Sequence, residues 1–139
     1  QDLAAFWNIL NNNLTAKYNA HPVHSLAELQ LLKGRFPKEI KLYMATTTDG
    51  EPLGGTLIYE TPNVVHTQYI SASPDGKTMG ALDLLFDHII NKVYKGRNGY
   101  FDFGKSTEAG GTVLNQQLIH QKEGFGGRGV CYDTYEWKI

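Results

Sequence analysis

Cysteine is nearly absent from this chain of 139 residues: it occurs once, as Cys131. A single cysteine cannot form a disulfide within the chain, and nothing in its use indicates an oxidising compartment. We therefore expect a cytoplasmic protein. Cys131 lies between Val130 and Tyr132 in a predicted strand, where a small buried thiol is expected rather than a nucleophile.

Long apolar runs and an excess of charge are also missing. No apolar run approaches the roughly 18 residues that a membrane-spanning helix needs, so no membrane span is predicted. Thirteen Lys and Arg stand against 14 Asp and Glu, which gives a formal net charge of −1 at pH 7. Proteins that bind DNA, RNA or membrane surfaces normally carry a basic excess, so the composition argues against those functions. The 41% of hydrophobic residues is sufficient for the core of one domain.

Metal-binding and phosphate-binding signatures are incomplete. His21 and His24 form a His-x-x-His pair without a carboxylate or third ligand close in sequence, so we predict no metal site. The run 76–78 (Gly-Lys-Thr) resembles the end of a phosphate loop, but Ser71 stands where that loop needs its first glycine. A nucleoside triphosphate site is therefore not expected.

Apolar spacing and turn residues predict an α/β (α+β) fold. Three- and four-residue steps indicate a helix over 3–18, and a capping box at Ser25 and Glu28 begins a helix that ends at Gly34. Asp49-Gly50 predicts an antiparallel hairpin, whereas a strand–helix–strand unit places its strands parallel. The predicted order is ααβββαβαβ, a mixed sheet flanked by helices, with strands at 40–48, 53–60, 64–71, 100–103 and 130–139 and later helices at 77–94 and 112–123.

The third predicted strand is unusually polar. Simple alternation places His66 and Gln68 on one face and Thr67 and Tyr69 on the other. A polar group buried without a partner costs about 1–3 kcal/mol, so these side chains either have partners or line an open cleft. His66 is the best candidate for a general base because the ordinary pKa of histidine lies near neutrality.

The turn after this strand is rich in glycine and opens a helix. Free amides and the helix dipole at such a position suit a phosphate group, although most such turns only redirect the chain. A basic residue followed by Gly80 at the start of the helix, together with the element order, resembles the GNAT acyltransferase superfamily. Later segments resemble its FemAB-like branch: 100–108 (YFDFGKSTE), 114–118 (LNQQL) and 121–126 (QKEGFG).

This resemblance implies an acyl-CoA, most simply acetyl-CoA, whose pantetheine arm lies between the third and fourth strands. Its pyrophosphate is expected on the amides between Gly76 and Gly80. Lys77 and Gly80 match the family's pyrophosphate signature loosely, and Leu82 occupies the signature's last position. The implied catalytic residues are His66 as base and Tyr69 or Tyr132 as acid; the implied cofactor-binding residues are Ser71, Gly76, Lys77, Thr78, Gly80 and Asn115.

Three functions follow from the resemblance. The first is transfer of an acyl group from acyl-CoA to the amine of a small molecule or peptide. The second is a FemAB-like transfer of an amino acid from aminoacyl-tRNA, against which the charge balance weighs, and the third is a non-catalytic binding domain. FemAB-like proteins pair two such domains and the chain begins with Gln1. We therefore expect this chain to be the C-terminal half of a longer protein, with its free surfaces covered by the missing N-terminal domain or by a second copy of the chain in a homodimer.

Overall fold

A four-stranded sheet forms the centre of the computed structural model, which describes residues 2–138. Its strands are β1 (Ile40–Thr46), β2 (Pro52–Glu60), β3 (Val64–Ala72) and β4 (Tyr100–Asp102), adjacent in that order. The pairs β1–β2 and β2–β3 are antiparallel, and β3–β4 is parallel. The predicted mixed sheet is therefore confirmed, including the hairpin at Gly50, whose φ is +89°.

Two helices precede the sheet: α1 (Asp2–Tyr18) and α2 (Leu26–Arg35). The predicted capping box is confirmed at the start of α2. The Glu28 amide donates to Ser25 Oγ over 3.3 Å, and the Ser25 amide donates to Glu28 Oε2 over 2.7 Å. These two bonds satisfy amides that the first turn of a helix leaves without partners.

The helix predicted over 77–94 is divided into three parts. They are α3 (Pro74–Thr78), α4 (Ala81–His88) and a π-helical turn (Ile89–Val93). Gly80 separates α3 from α4 because its φ is +69°, a left-handed conformation that glycine adopts without strain. α4 therefore starts as a separate helix with its own free N-terminus.

Two apolar clusters cover opposite faces of the sheet. On one face Leu57 packs with Leu3 and Phe6 of α1 and with Leu29 of α2. On the other face the next residue of β2, Ile58, packs with Val65, Leu85 and Ile89. Successive residues of a strand point to opposite faces, so the pair 57–58 divides the core between α1 and α2 on one side and α4 on the other.

A polar cluster around Glu60 fastens the start of β4 to the end of β2. Glu60 forms ion pairs with Lys41, at 2.6 Å, and with Arg97, and it accepts a hydrogen bond from the Tyr94 hydroxyl at 3.1 Å. Burial alone would raise the pKa of the Glu60 carboxyl, but hydrogen bonds from these three partners outweigh burial and lower it. The Arg97 guanidinium also donates to the Thr61 carbonyl. The segment leading into β4 is thus held at this end of the sheet.

Residues 105–138 belong to a second compact unit, whereas the elements above belong to the first unit, Gln1–Gly104. The second unit contains the strands β5 (Thr107–Glu108) and β6 (Val113–Leu114), which form an antiparallel pair, and the helix α5 (Gln116–Gly124). The helix predicted over 112–123 therefore begins later, since Asn115 caps it.

The last predicted strand does not form. Residues 130–138 have no regular secondary structure, and Ile139 lies outside the described residues. A strand needs a neighbouring backbone for its hydrogen bonds, and none of the strands within residues 2–138 pairs with this segment. Cys131 is consequently exposed rather than buried, and Tyr132 is 84% exposed. None of the helices formed by the described residues is long and apolar enough to cross a membrane.

Glycine substitutions provide a test of the close packing between α3 and β2. A Cβ added to Gly76 would lie 2.0 Å from the carbonyl oxygen of Leu53, so Gly76→Ala requires a shift of the backbone. We expect Gly76→Ala to lower the free energy of unfolding, measured by urea denaturation, by about 1–3 kcal/mol or more. The control, Gly34→Ala in α2, meets no atom within 4 Å and should be neutral or stabilising by up to about 1 kcal/mol. Equal effects of the two substitutions would contradict this packing.

Candidate active site

A β-bulge in β3 sets the positions of the candidate catalytic side chains. Leu57 of β2 lies opposite Tyr69, but Ile58 lies opposite Thr67, so Gln68 is an extra residue in β3. An extra residue shifts the alternation of side chains by one. His66 lies opposite Tyr59, and both Tyr59 and Tyr69 pack against the cluster formed with α1 and α2.

The bulge corrects the expectation from simple alternation. His66 and Tyr69 share one face of the sheet, and Thr67 lies on the other. The two residues predicted as base and acid are thus placed on the same side of β3.

His66 forms a hydrogen bond with Asp102 on β4. The two residues are direct neighbours in the parallel pairing, and His66 Nδ1 lies 2.7 Å from Asp102 Oδ2. The other carboxylate oxygen, Oδ1, accepts a hydrogen bond from the Gly104 amide at 2.7 Å. The carboxylate therefore holds a proton on Nδ1 and directs Nε2 away from β4, and Nε2 makes no hydrogen bond within residues 2–138.

The Tyr69 hydroxyl is held by His24, in the segment between α1 and α2. The His24 amide donates to it over 3.3 Å, and His24 Nδ1 lies 2.7 Å from it. Nearby, the Tyr59 hydroxyl is buried and has no hydrogen-bond partner among the described residues. Burial raises the pKa of the Tyr59 phenol, and the neighbouring Tyr69 raises it further, so Tyr59 keeps its proton.

The pairing between β3 and β4 ends at His66. Only Val64, Val65 and His66 have partners on β4, the last of which is Asp102. From Thr67 to the end of β3, none of the strands within residues 2–138 pairs with β3 on that side. The strand pairing between β3 and β4 therefore stops next to the His66–Asp102 pair.

The glycine-rich turn after β3 differs from the expectation. The Gly76 amide donates to Ser73 Oγ over 3.0 Å, and the amides of Lys77, Met79 and Gly80 donate to carbonyls of the same turn. The amides between Gly76 and Gly80 are therefore not free, because they form the short helix α3. The free amides lie one step later, where α4 begins without a side-chain cap and the Ala81 and Leu82 amides have no hydrogen bond within the described residues.

Asn13 of α1 connects this turn with the end of β3. Its Nδ2 donates to Ser71 Oγ and to the Ala72 carbonyl, each at 2.7 Å, and its Oδ1 accepts from Lys77 Nζ at 3.1 Å. Ser71 and Lys77 are thus linked through the side chain of Asn13. Thr78 Oγ1 donates to the Pro74 carbonyl within α3.

The remaining predicted site residues have local roles in the second unit. The Asn115 side chain accepts from the Leu118 amide at 2.9 Å and donates to Glu108 Oε1 at 2.6 Å, so it caps α5 and ties the cap to β5. Tyr132 is exposed. Among residues 2–138, no group of three His, Cys, Asp or Glu side chains that could hold a metal ion is found.

Residues 1–110 match the family model described as Acetyltransferase (GNAT) domain. The chain belongs to this GNAT acetyltransferase family. No curated protein sequence matches this chain.

Solved structures share its fold at low sequence identity. A possible acetyltransferase from Clostridium difficile 630 superposes with a TM-score of 0.70 at 13% identity, covering 99% of this chain and 91% of that chain. An acetyltransferase from Trypanosoma brucei gives 0.64 at 15% identity, with 99% and 93% coverage. AAC(6')-Iy, in complex with the bisubstrate analog CoA-S-monomethyl-acetylneamine, gives 0.57 at 16% identity, with 99% and 91% coverage.

Three residues of this GNAT site were missed by sequence reasoning or left without a role: Asn13, His24 and Asp102. For Asp102, which lies between Phe101 and Phe103, the sequence alone allows either an acceptor for backbone amides or an acid in a cleft. The structure shows that it accepts from the Gly104 amide and also binds His66. Asn13 lies on the α1 helix with no motif around it, and the sequence contains no signal that could have found it.

The His66–Asp102 pair makes a spectroscopic prediction. In the wild-type protein, neutral His66 should carry its proton on Nδ1, which ¹⁵N NMR of the imidazole can identify. Asp102→Ala should remove this preference, whereas the exposed His88 of α4 serves as the unchanged control in the same spectrum. A neutral His66 protonated on Nε2 in the wild-type protein would contradict the pairing.

Proposed function

We propose that this protein transfers an acyl group, most simply the acetyl group of acetyl-CoA, to a primary amine of a small molecule or peptide. The observation that carries the proposal is the His66–Asp102 pair at the point where β3 and β4 stop pairing. It combines an oriented imidazole with an adjacent part of β3 that has no strand partner on the β4 side, in a domain of the GNAT acetyltransferase family.

The described residues fit an acyl-CoA. From Thr67 to Ser71, β3 has no strand partner on the β4 side, and its backbone would offer hydrogen bonds to the amides of a pantetheine arm. The Ala81 and Leu82 amides at the start of α4 suit a pyrophosphate. Lys77 of α3, whose Nζ donates to Asn13 Oδ1, would add a positive charge to this site. The bound acyl-CoA would supply the activated thioester.

His66 would act as the general base. A neutral amine attacks through its lone pair and must lose one proton as its bond to the acyl carbon forms. Nε2 of His66, which the Asp102 contact leaves available, would take that proton. Asp102 would hold the ring in one orientation and stabilise the imidazolium that forms. General base catalysis of this kind contributes about 10²- to 10⁴-fold to the rate.

Tyr69 would act as the general acid, since it lies on the same face as His66 and its hydroxyl is held in place by His24. The buried Tyr59 hydroxyl, without a partner among the described residues, would donate to a bound ligand on this face. Buried hydroxyls normally have partners, so a ligand that supplies one would recover part of the 1–3 kcal/mol, roughly, that the unpaired group costs.

The acceptor is proposed only as a class. The bisubstrate analog in the AAC(6')-Iy structure contains acetylneamine, and an amine of this kind is a suitable first probe. A FemAB-like use of aminoacyl-tRNA is the second candidate, favoured by the segments 100–108 and 114–118 but opposed by the net charge of −1.

A charge reversal tests the donor site. We expect wild-type protein to bind acetyl-CoA in isothermal titration calorimetry, and Lys77→Glu to weaken binding about 10-fold or more because it places a carboxylate beside the pyrophosphate. Lys92→Glu, which makes the same charge change in the π-helical turn, is the matched control. Equal losses in both variants would mean that net charge, rather than this site, controls binding. Binding of tRNA but not of acetyl-CoA would favour the second candidate.

A kinetic experiment tests the base. With acetyl-CoA as donor and neamine, a polyamine and a lysine peptide as acceptors, His66→Gln should lower kcat by about 10²- to 10⁴-fold with little change in acetyl-CoA affinity. Product should be followed by mass spectrometry, because the exposed Cys131 reacts with thiol reagents. His88→Gln is the control for loss of a histidine. Full activity of His66→Gln would rule His66 out as the base.

A further inference from the structure

His24 makes two contacts with one oxygen atom. Its backbone amide lies 3.3 Å from the Tyr69 hydroxyl oxygen, and its Nδ1 lies 2.7 Å from the same atom. The two rings meet edge to face, with centroids 5.9 Å apart and planes at 83°. A residue 45 positions away in sequence thus surrounds the hydroxyl of the proposed acid from two directions.

The segment that carries His24 is itself fixed. The indole Nε1 of Trp7 donates to the His24 carbonyl over 3.0 Å, and the next residue, Ser25, begins the capping box of α2. Tyr69 is held from the other side, since Thr56 Oγ1 donates to its carbonyl over 2.9 Å. The backbones at both ends of the contact are thus hydrogen-bonded, which limits the movement of the two rings relative to each other.

We propose that His24 is a positioning residue that directs the hydroxyl proton of Tyr69 into the site. This inference rests on the proposed function. The phenol oxygen has two lone pairs: the His24 amide takes one, and a proton on His24 Nδ1 takes the other. The hydroxyl proton then has no acceptor on His24 and points away from it. With Nδ1 bare, Tyr69 donates to His24 instead and the proton is withdrawn from the site.

The balance of the reaction shows where this proton goes. The amine nitrogen forms a bond with the acyl carbon and gives a proton to His66 Nε2, while the bond between the acyl carbon and sulfur breaks. The sulfur takes the Tyr69 proton and leaves as a thiol. Tyr69 then regains a proton from water, and His66 releases one. His24 gains and loses nothing, so its effect must pass entirely through Tyr69.

This last point supplies a kinetic test. His24→Phe keeps a ring of similar size and should lower kcat about 10- to 100-fold with little change in KM. In a Tyr69→Phe background the same substitution should have no further effect, because two residues that act as one unit are not additive. His24→Asn, whose amide can place an N–H near the position of Nδ1, should recover part of the activity.

An NMR measurement on the protein without substrate tests the contact itself. Wild-type His24 should be protonated on Nδ1, and Tyr69→Phe should shift the ¹⁵Nδ1 signal of His24. His21, whose Nδ1 lies 2.8 Å from Asn11 Oδ1, should keep its signal. His21→Phe is the matched kinetic control and should leave kcat unchanged. An unshifted His24 signal, or a bare Nδ1, would overturn the proposal without any assay of activity.

The outcomes also separate this proposal from the function on which it rests. If wild-type protein neither binds acetyl-CoA nor transfers acetyl groups, the proposed function fails and the positioning role fails with it. Suppose instead that the wild-type protein is active, and that His24→Phe lowers kcat by the same factor in the Tyr69→Phe background as in protein with Tyr69. Only the positioning role is then overturned. The positioning role is established if His24→Phe lowers kcat only in protein that retains Tyr69 and if Tyr69→Phe shifts the His24 signal.

Discussion

One extra residue in β3 governs the geometry of the site. Without Gln68 in the bulge, His66 and Tyr69 would lie on opposite faces of the sheet. With the bulge, both lie on the face covered by α1 and α2, where His24 reaches Tyr69. The proposed base and acid therefore depend on a local defect in strand pairing rather than on the regular sheet.

The first residues of β3 pair with β4, whereas the later residues do not. At its start, three residue pairs with β4 and the Glu60 cluster bind the strands together; Lys41 and Arg97 both contribute to that cluster. At its end, β3 has no strand partner on the β4 side within the described residues. The three pairs therefore fix the point at which the pairing of β3 with β4 ends. The His66–Asp102 pair lies at this boundary.

The parts of the fold that local sequence controls were predictable. The capping box of Ser25 and Glu28, the turn at Gly50 and the polar character of β3 depend on neighbouring residues, and the structure contains all three. The bulge at Gln68 depends on the register between two strands, which alternation within one strand does not reveal. The strand predicted over 130–139 failed for a similar reason, because alternating residues need a partner strand as well as a pattern.

The polar residues of β3 and its neighbour β2 agree with both explanations of a polar strand: some side chains have hydrogen-bond partners, and one buried group has none. Thr56, Thr67 and Ser71 are buried and each is hydrogen-bonded, so they are part of a satisfied core. The Tyr59 hydroxyl, opposite His66, is buried without a partner among the described residues. A group of this kind lowers stability by about 1–3 kcal/mol and offers a donor to whatever enters. The unpaired donor lies on the face that carries His66 and Tyr69, where the proposed reaction requires a polar ligand.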